Sequence, residues 1–319
     1  MPGPRDLPGI DGRPETPDSR KQTADTKSLL QHRGDRLPPG HPSSPYNADG
    51  SRRPAATSLR DLEAAEGADD GVSEGWRAAL PRLQGLWERH KERWPAAERS
   101  PIDMSKDEEG SWRGDGPGQY LNAGENLVTE HALDRVHDAE REVTGTLKAV
   151  EAEVPGARLV GLEHRLKDME RFKEKVSTEL RAKPDRSIDQ ICNNAPDAMR
   201  YTYQFSNERY TDGYWEVYRQ LQEGGYQIEF SRNSWDSLQY KGINSRWRHP
   251  AGQLIEVQFH TEESFSAKQL THQAYERIRG SALLDLERGE LYDFPSEVTS
   301  YVPVPAGAQA IPDYRKKET

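Results

Sequence analysis

Between Leu238 and Thr261 the sequence QYKGINSRWRHPAGQLIEVQFHT gathers an unusual set of reactive groups. Ile255, Val257 and Phe259 alternate with Glu256, Gln258 and His260. That period of two is a β-strand with a carboxylate, an amide and an imidazole on one face. A charge on a strand flanked by apolar residues is costly unless partnered, so this face reads as the floor of a polar site. The loop before it offers Tyr240, Lys241 and a flexible Gly242, followed by Arg246 and Arg248. An aromatic ring and several cations suit a nucleobase and its phosphates.

Further cations precede this unit. Arg165 and Lys167 share one face if their segment is a strand, and Arg171 and Lys175 lie one helical turn apart. Together they can surround a triphosphate by bidentate and point-charge contacts. Taken alone, the same residues describe a solvated helix face alongside Lys173 and Glu174. Asp197 sits at the mouth of a second strand, and with Glu256 it forms a carboxylate pair able to hold Mg2+, the usual companion of a nucleoside triphosphate. Asp197 serves equally well as a turn residue after Asn193-Asn194-Ala195-Pro196. Tyr240 either stacks on a purine or borders the site. His260 at a strand end is more often a structural histidine than a catalyst, and His272 and Tyr275 can simply pack. The sequence has no Walker-type phosphate loop, no HExxH and no GxSxG. Any ATP bound here must be held by basic side chains.

The elements that must position these groups are legible in outline. Residues 157–285 read as an α+β core with a mixed five-stranded sheet flanked by helices. The expected strands are Arg158–Lys167, Met199–Ser206, Tyr226–Ser231 and two more within 238–261. The expected helices are Asp168–Ala182, Thr211–Glu223 and Ser264–Gly280, with Gly224-Gly225 as a stop signal. A helical lead-in covers Tyr120–Val154, with Leu127, His131, Leu133, Val136, Val143, Leu147 and Val150 on one face, ended by Pro155-Gly156. Residues 1–100 are a largely disordered Pro- and Gly-rich leader, with one amphipathic helix expected near 72–94, starting or kinking at Pro81. That helix bears Trp76 and Trp87 and is either a docking element or a satellite packed on the main domain. Residues 101–119 read as loop and 286–319 as a loose tail.

Composition narrows the class. The chain has 319 residues, of which 33% are hydrophobic, and a mean hydropathy of −1.00, low for a sequence that folds throughout. The single cysteine, Cys192, excludes an intramolecular disulfide framework and a cysteine-based zinc site. No apolar run is long enough for a transmembrane helix, and the N-terminus lacks the apolar core of a secretory signal. A cytoplasmic location is the default, with export by a route that needs no such signal left open. The net charge is −10, yet residues 157–281 hold 19 Lys and Arg against 18 Asp and Glu. A locally basic pocket in an acidic chain suits a small polyanion better than a DNA duplex, which needs a broad basic face.

The order of these features resembles the synthetase domain of RelA/SpoT-type alarmone synthetases, ATP:nucleotide 3′-pyrophosphokinases of nucleotidyltransferase-like fold. The matching residues are Arg165, Lys167 and Lys175, then Asp197 with Arg200, then Tyr240-Lys241-Gly242-Ile243-Asn244. Glu256-Val257-Gln258-Phe259-His260-Thr261 and the pair His272 and Tyr275 complete the series. The resemblance spans about Ala157–Arg279. Arg171 stands where the family usually has Ser, Asn244 replaces a His, and His260 replaces an Arg, departures that look like those of divergent secreted or toxin-type members.

The resemblance implies that Asp197 and Glu256 bind Mg2+ and carry the catalysis, and that Arg165, Lys167, Lys175 and Arg171 hold ATP. Tyr240, Lys241, Asn244, Gln258, His260 and His272 would contact the acceptor. The implied reaction moves the β,γ-pyrophosphate of ATP to the 3′-hydroxyl of a purine nucleotide, in a toxin or secreted effector neutralised by an antitoxin or immunity protein. Alternatives are the 3′ end of tRNA as acceptor, a catalytically inactive nucleotide sensor, or an interaction protein working through its Trp-bearing helix.

Overall fold

The structure, a computed structural model, describes residues 73–95, 107–280 and 283–316, without the side chains of residues 279 and 280. These belong to the second of two units, Ala64–Thr319. The expected disordered leader, up to residue 72, lies outside the described residues, as do residues 96–106.

Helix α1 spans Glu74–Arg93 with Ser73 as its N-cap and Pro81 inside it. It is a satellite packed on the main domain: Trp76 and Leu83 enter the principal core, and Trp87 packs with Ala274 and Leu291. A hairpin not foreseen from sequence follows, β1 (Trp112–Arg113) paired with β2 (Tyr120–Leu121). Helix α2 therefore starts at Ala123, not Tyr120, and runs to Glu153. Its start is set by a capping box in which Asn122 and Glu125 each accept the other's backbone N–H. Leu133, Val136, Val143, Leu147 and Val150 are buried as expected. Leu127 and His131 are exposed, because the inward stripe runs instead through Thr129 and Ala132.

The segment expected to be one strand from Arg158 to Lys167 is a strand only over Arg158–Val160, here β3. Gly161, at φ 66°, turns the chain into a short 3-10 turn, and Leu166 returns as an isolated bridge to Met199. Helix α3 (Met169–Ala182) is capped by Asp168, and α4 (Ile188–Asn193) precedes β4 (Arg200–Phe205). Helix α5 (Tyr210–Glu223), β5 (Gln227–Asn233), β6 (Ile243–Arg248) and β7 (Leu254–Thr261) follow in turn. Gly213 lets α5 lie close to the sheet, since a Cβ there would run into the Phe205 ring. Helix α6 covers Glu262–Gly280.

The tail is ordered where looseness was expected. Helix α7 (Asp285–Ser300) contains Pro295, and β8 (Tyr314–Arg315) pairs with β5. Leu291 and Val298 are fully buried, and the Asn233 amide donates to the carbonyls of Ala308 and Ile311 at 2.7 Å each. Burial of these apolar side chains outweighs the local breaking tendency of the prolines. The mixed sheet therefore has six strands, not five, in the order β3-β4-β7-β6-β5-β8. Only β4 and β7 run parallel in it.

The two sheet faces differ sharply. On one, Tyr201, Tyr203, Val257, Phe259 and Trp247 are buried beneath α2 and α5. Tyr203 Oη donates to the Leu147 carbonyl at 2.7 Å, and Phe259 meets the Tyr214 ring edge at 4.8 Å. The other face carries Arg200, Thr202 and Gln204 on β4, Glu256, Gln258 and His260 on β7, and Asn244 and Arg246 on β6. Helix α6 lies against part of it, touching the sheet through Ser264 and Lys268.

Candidate active site

Register aligns the polar residues into rows. Arg200 pairs with Glu256 and Glu256 with Arg246, while Thr202, Gln258 and Asn244 form the next row. The Glu256 backbone N–H donates to the Met199 carbonyl at 2.9 Å, which ties the Pro196–Ala198 turn to this strand. Asp197 lies in that turn.

The centre of the face is a directed chain of hydrogen bonds. Lys268 Nζ donates to Gln258 Oε1 at 2.5 Å, and the Gln258 amide nitrogen donates to Glu256 Oε1. The ammonium fixes which end of the amide is oxygen, and the amide then presents its N–H to the carboxylate. Burial pushes the Lys268 ammonium down to about 8; neighbouring Arg200 adds to the shift and Glu256 opposes it. Arg200 Nε is buried and, among the described residues, has no hydrogen-bond partner, a donor left unspent beside Glu256.

A second cluster begins at the end of the same strand. His260 is fully buried, with Nε2 2.9 Å from Tyr240 Oη and Nδ1 2.9 Å from Ser264 Oγ. Tyr240 Oη donates to Asn244 Oδ1 at 2.7 Å. One tautomer satisfies every contact: Nε2–H donates to the tyrosine oxygen and Nδ1 accepts from the serine hydroxyl. Burial, then the nearby Lys268 charge, drives the imidazole well below its ordinary pKa, so it is neutral. Burial likewise raises the Tyr240 hydroxyl. Gly242, at φ 140°, lets the loop cross this imidazole, since a Cβ there would stand 2.8 Å from it and 2.9 Å from the Phe259 carbonyl.

The third group is Asp197, whose carboxylate meets Lys167 Nζ at 3.2 Å and Lys175 Nζ on its other oxygen. Burial raises its pKa, but the two ammonium groups outweigh burial and hold it at about 2. The backbone positions Lys167 by its N–H to the Ala198 carbonyl at 3.0 Å, while Arg200 N–H reaches the Arg165 carbonyl at 2.7 Å.

The structure thus brings together Glu256 and Gln258 on the strand, and Asp197, Lys167 and Lys175 around the turn beside it. His272 is exposed on α6; partial burial lowers its pKa, Glu276 opposes this, and Arg200, Lys268 and Arg171 add to it. The remaining residues singled out from sequence are engaged elsewhere. Arg165 donates to Glu140 at 2.5 Å and to the Leu162 carbonyl at 2.8 Å. Arg171 is exposed and pairs with Glu174 at 3.1 Å and Glu276 at 3.7 Å. Lys241 donates to the Trp235 carbonyl at 2.9 Å. Asn244 Oδ1 and His260 Nε2 are both taken by Tyr240.

Sequence reasoning missed Lys268. The signal was present: Ser264, Lys268 and His272 recur every four residues, a polar stripe on a helix that follows a strand with a polar face. Among the described residues no group of three or more His, Cys, Asp or Glu could hold a metal, and no helix is long and apolar enough to cross a membrane.

No family model matches the sequence, and no curated protein matches it. Three solved structures illustrate what the chain is similar to. Small alarmone synthetase 1 of Bacillus subtilis, bound to its product pppGpp, is 12% identical over 51% of this chain and 87% of its own, with a TM-score of 0.37. The type VI effector Tas1, in complex with its immunity protein, is 16% identical over 54% of this chain and 95% of its own, also at 0.37. Small alarmone synthetase 2 of Bacillus subtilis is 16% identical over 56% of this chain and 92% of its own, at 0.33.

Proposed function

We propose that the chain is a Mg2+-dependent pyrophosphokinase that transfers the β,γ-pyrophosphate of ATP to the 3′-hydroxyl of a purine nucleotide, acting as a growth-inhibiting toxin or effector. The observation that carries this reading is the Lys268–Gln258–Glu256 chain beside the Asp197–Lys167–Lys175 cluster. It joins one carboxylate with an oxygen left for a proton to two ammonium groups suited to phosphates.

In this reaction the acceptor 3′-oxygen attacks the β-phosphorus in line, the bond to the α-phosphate oxygen breaks, and AMP leaves. Glu256 takes the hydroxyl proton at its free carboxylate oxygen, while Gln258 holds the other oxygen in place. Lys167 and Lys175 exchange Asp197 for the triphosphate oxygens, and the unspent Arg200 Nε–H is the donor available to the charge that develops. The two carboxylates fit a Mg2+ ion that arrives on phosphates, because such an ion takes only one or two protein carboxylates and fills its remaining positions with phosphate and water. Asp197 and Glu256 would hold it, and it would neutralise phosphate charge.

One observation favours a second reading, a nucleotide sensor without turnover. Tyr240 Oη, Asn244 Oδ1 and both His260 ring nitrogens are engaged within this cluster or by Ser264, so those atoms must rearrange before they can read an acceptor base. The test is incubation of the purified chain with Mg2+ and γ-32P-ATP, offering GTP, GDP, ATP, AMP and deacylated tRNA in turn. Label in a nucleotide, lost in Glu256→Gln, supports the proposal, and label in tRNA alone replaces the acceptor. ATP binding with no labelled product favours the sensor.

A further inference from the structure

The row that contains Glu256 does not stop at β6. Arg200, Glu256, Arg246, Phe230 and Arg315 are successive Cα partners across β4, β7, β6, β5 and β8. We infer that Arg246 and Arg315, set about the Phe230 ring, form a phosphate-binding subsite for the acceptor; this rests on the transfer reading above for the identity of the ligand as acceptor.

The cations around Phe230 differ in whether a carboxylate already neutralises them. The register of β5 against β6 shifts between Ile228 and Phe230, leaving Glu229 as an extra residue whose carboxylate turns to the polar face. There it takes both arms of Arg248, at 2.6 and 3.0 Å, and lies 3.9 Å from Lys316. Arg246 and Arg315 are exposed, and among the described residues neither forms an ion pair within 4 Å, although the Arg246 charge adds, after Arg248 and Lys316, to the pull that lowers the Glu229 pKa. Instead their guanidinium carbons lie 4.8 and 6.0 Å from the centroid of the Phe230 ring. A ring contact orients a guanidinium without cancelling its charge, so two like charges are held around one side chain. An anion received between them relieves that repulsion, and the planar guanidinium fork matches phosphate.

Position selects the acceptor over ATP. Two strand spacings of about 4.8 Å separate Glu256 from Phe230, or about 10 Å in all, on the side away from Lys167 and Lys175. A nucleotide with its 3′-oxygen at Glu256 can extend its 5′ side over β6 and β5. The phosphate can belong to a free 5′-polyphosphate or to the backbone upstream of an RNA 3′ end. Both present the same group at the same distance.

The experiment measures transfer from γ-32P-ATP by the full chain and by the Arg246→Ala/Arg315→Ala double variant, with GDP, guanosine and deacylated tRNA as acceptors. A rise of at least tenfold in KM for GDP, with no comparable rise for guanosine and none for ATP, is expected if the source is a 5′-polyphosphate. If the source is an RNA backbone, the rise appears with tRNA, and the salt dependence of its KM weakens. An unchanged acceptor KM, or an equal rise in the KM for ATP, overturns the subsite. The Arg246→Lys/Arg315→Lys variant should recover part of the loss, and it replaces the alanine variant if thermal melts show the latter unfolded. Should the wild type transfer no label at all, the transfer reading fails on its own account. Calorimetric titration with GDP and with tRNA then decides the subsite: tenfold weaker binding by the double variant supports it, and equal binding, or none by the wild type, overturns it.

Discussion

Two stretches of one strand behave in opposite ways. At Glu256 the carboxylate is half-buried and keeps an oxygen unused, with the free Arg200 Nε alongside, while the buried Gln258 amide holds it in place. Two residues further on, His260 is neutral, fully buried and satisfied on both ring nitrogens. The first stretch has valence left for a substrate. The second holds the Tyr240 loop and the start of α6 in place, and its chemistry is complete without any ligand. A reactive residue type in an active-site position is therefore insufficient; what it has left to offer decides its use.

The contrast can be broken most forcefully at Glu256. Glu256→Gln should reduce transfer by about 10²–10⁴-fold, the range for losing a general base, while the thermal midpoint stays near that of the wild type. Labelled-product assays and melting curves read the two together.

Lys268→Met should cost on the order of 10–100-fold in transfer, because Gln258 loses the partner that orients it towards Glu256. With Lys268 titrating at about 8, transfer should decline as pH rises through that value, and Lys268→Arg should preserve the rate at pH 9. Stability moves the other way. The unfolded lysine keeps its proton to about 10.5, so between about 8 and 10.5 the unfolded state binds more protons and this residue makes the fold more stable as pH rises.

Asp197 supplies an acid-side test. Its carboxylate is held at about 2 against an ordinary 3.8, so its contribution is full above 3.8 and disappears as pH falls through about 2. The contribution is on the order of 2 kcal/mol. Asp197→Asn should flatten the pH dependence of denaturant unfolding across that window.

Ser264→Ala probes the satisfied cluster. It should cost about 1–2 kcal/mol by leaving His260 Nδ1 and the Thr261 N–H without their partner, with a smaller effect on transfer than either Glu256→Gln or Lys268→Met. The smallest effect belongs to Arg171→Ala. Its exposed pairing with Glu174 and Glu276 is worth about 0–1 kcal/mol, and a transfer loss beyond about threefold would give it a place at the phosphates that its present partners do not require.

The local pattern of the sequence determined much of this molecule. Alternation in Ile255–His260 was enough to put Glu256, Gln258 and His260 on one face, and the helix periods of α2, α3 and α5 emerged with boundaries close to those observed. Such features follow from side-chain period and capping, which act over a few residues and are written in the chain. Partner choice is not local. Lys241 turning to Trp235, Arg165 to Glu140 and His260 to Ser264 depend on which segments meet in space. The tail illustrates the same limit. Its prolines and short apolar runs gave no periodic signal, yet burial of Leu291 and Val298 anchors it, and pairing Tyr314–Arg315 with β5 makes its end the sixth strand. Tertiary structure decided these matters because the stabilising surface and the neutralising charge come from residues far away in sequence.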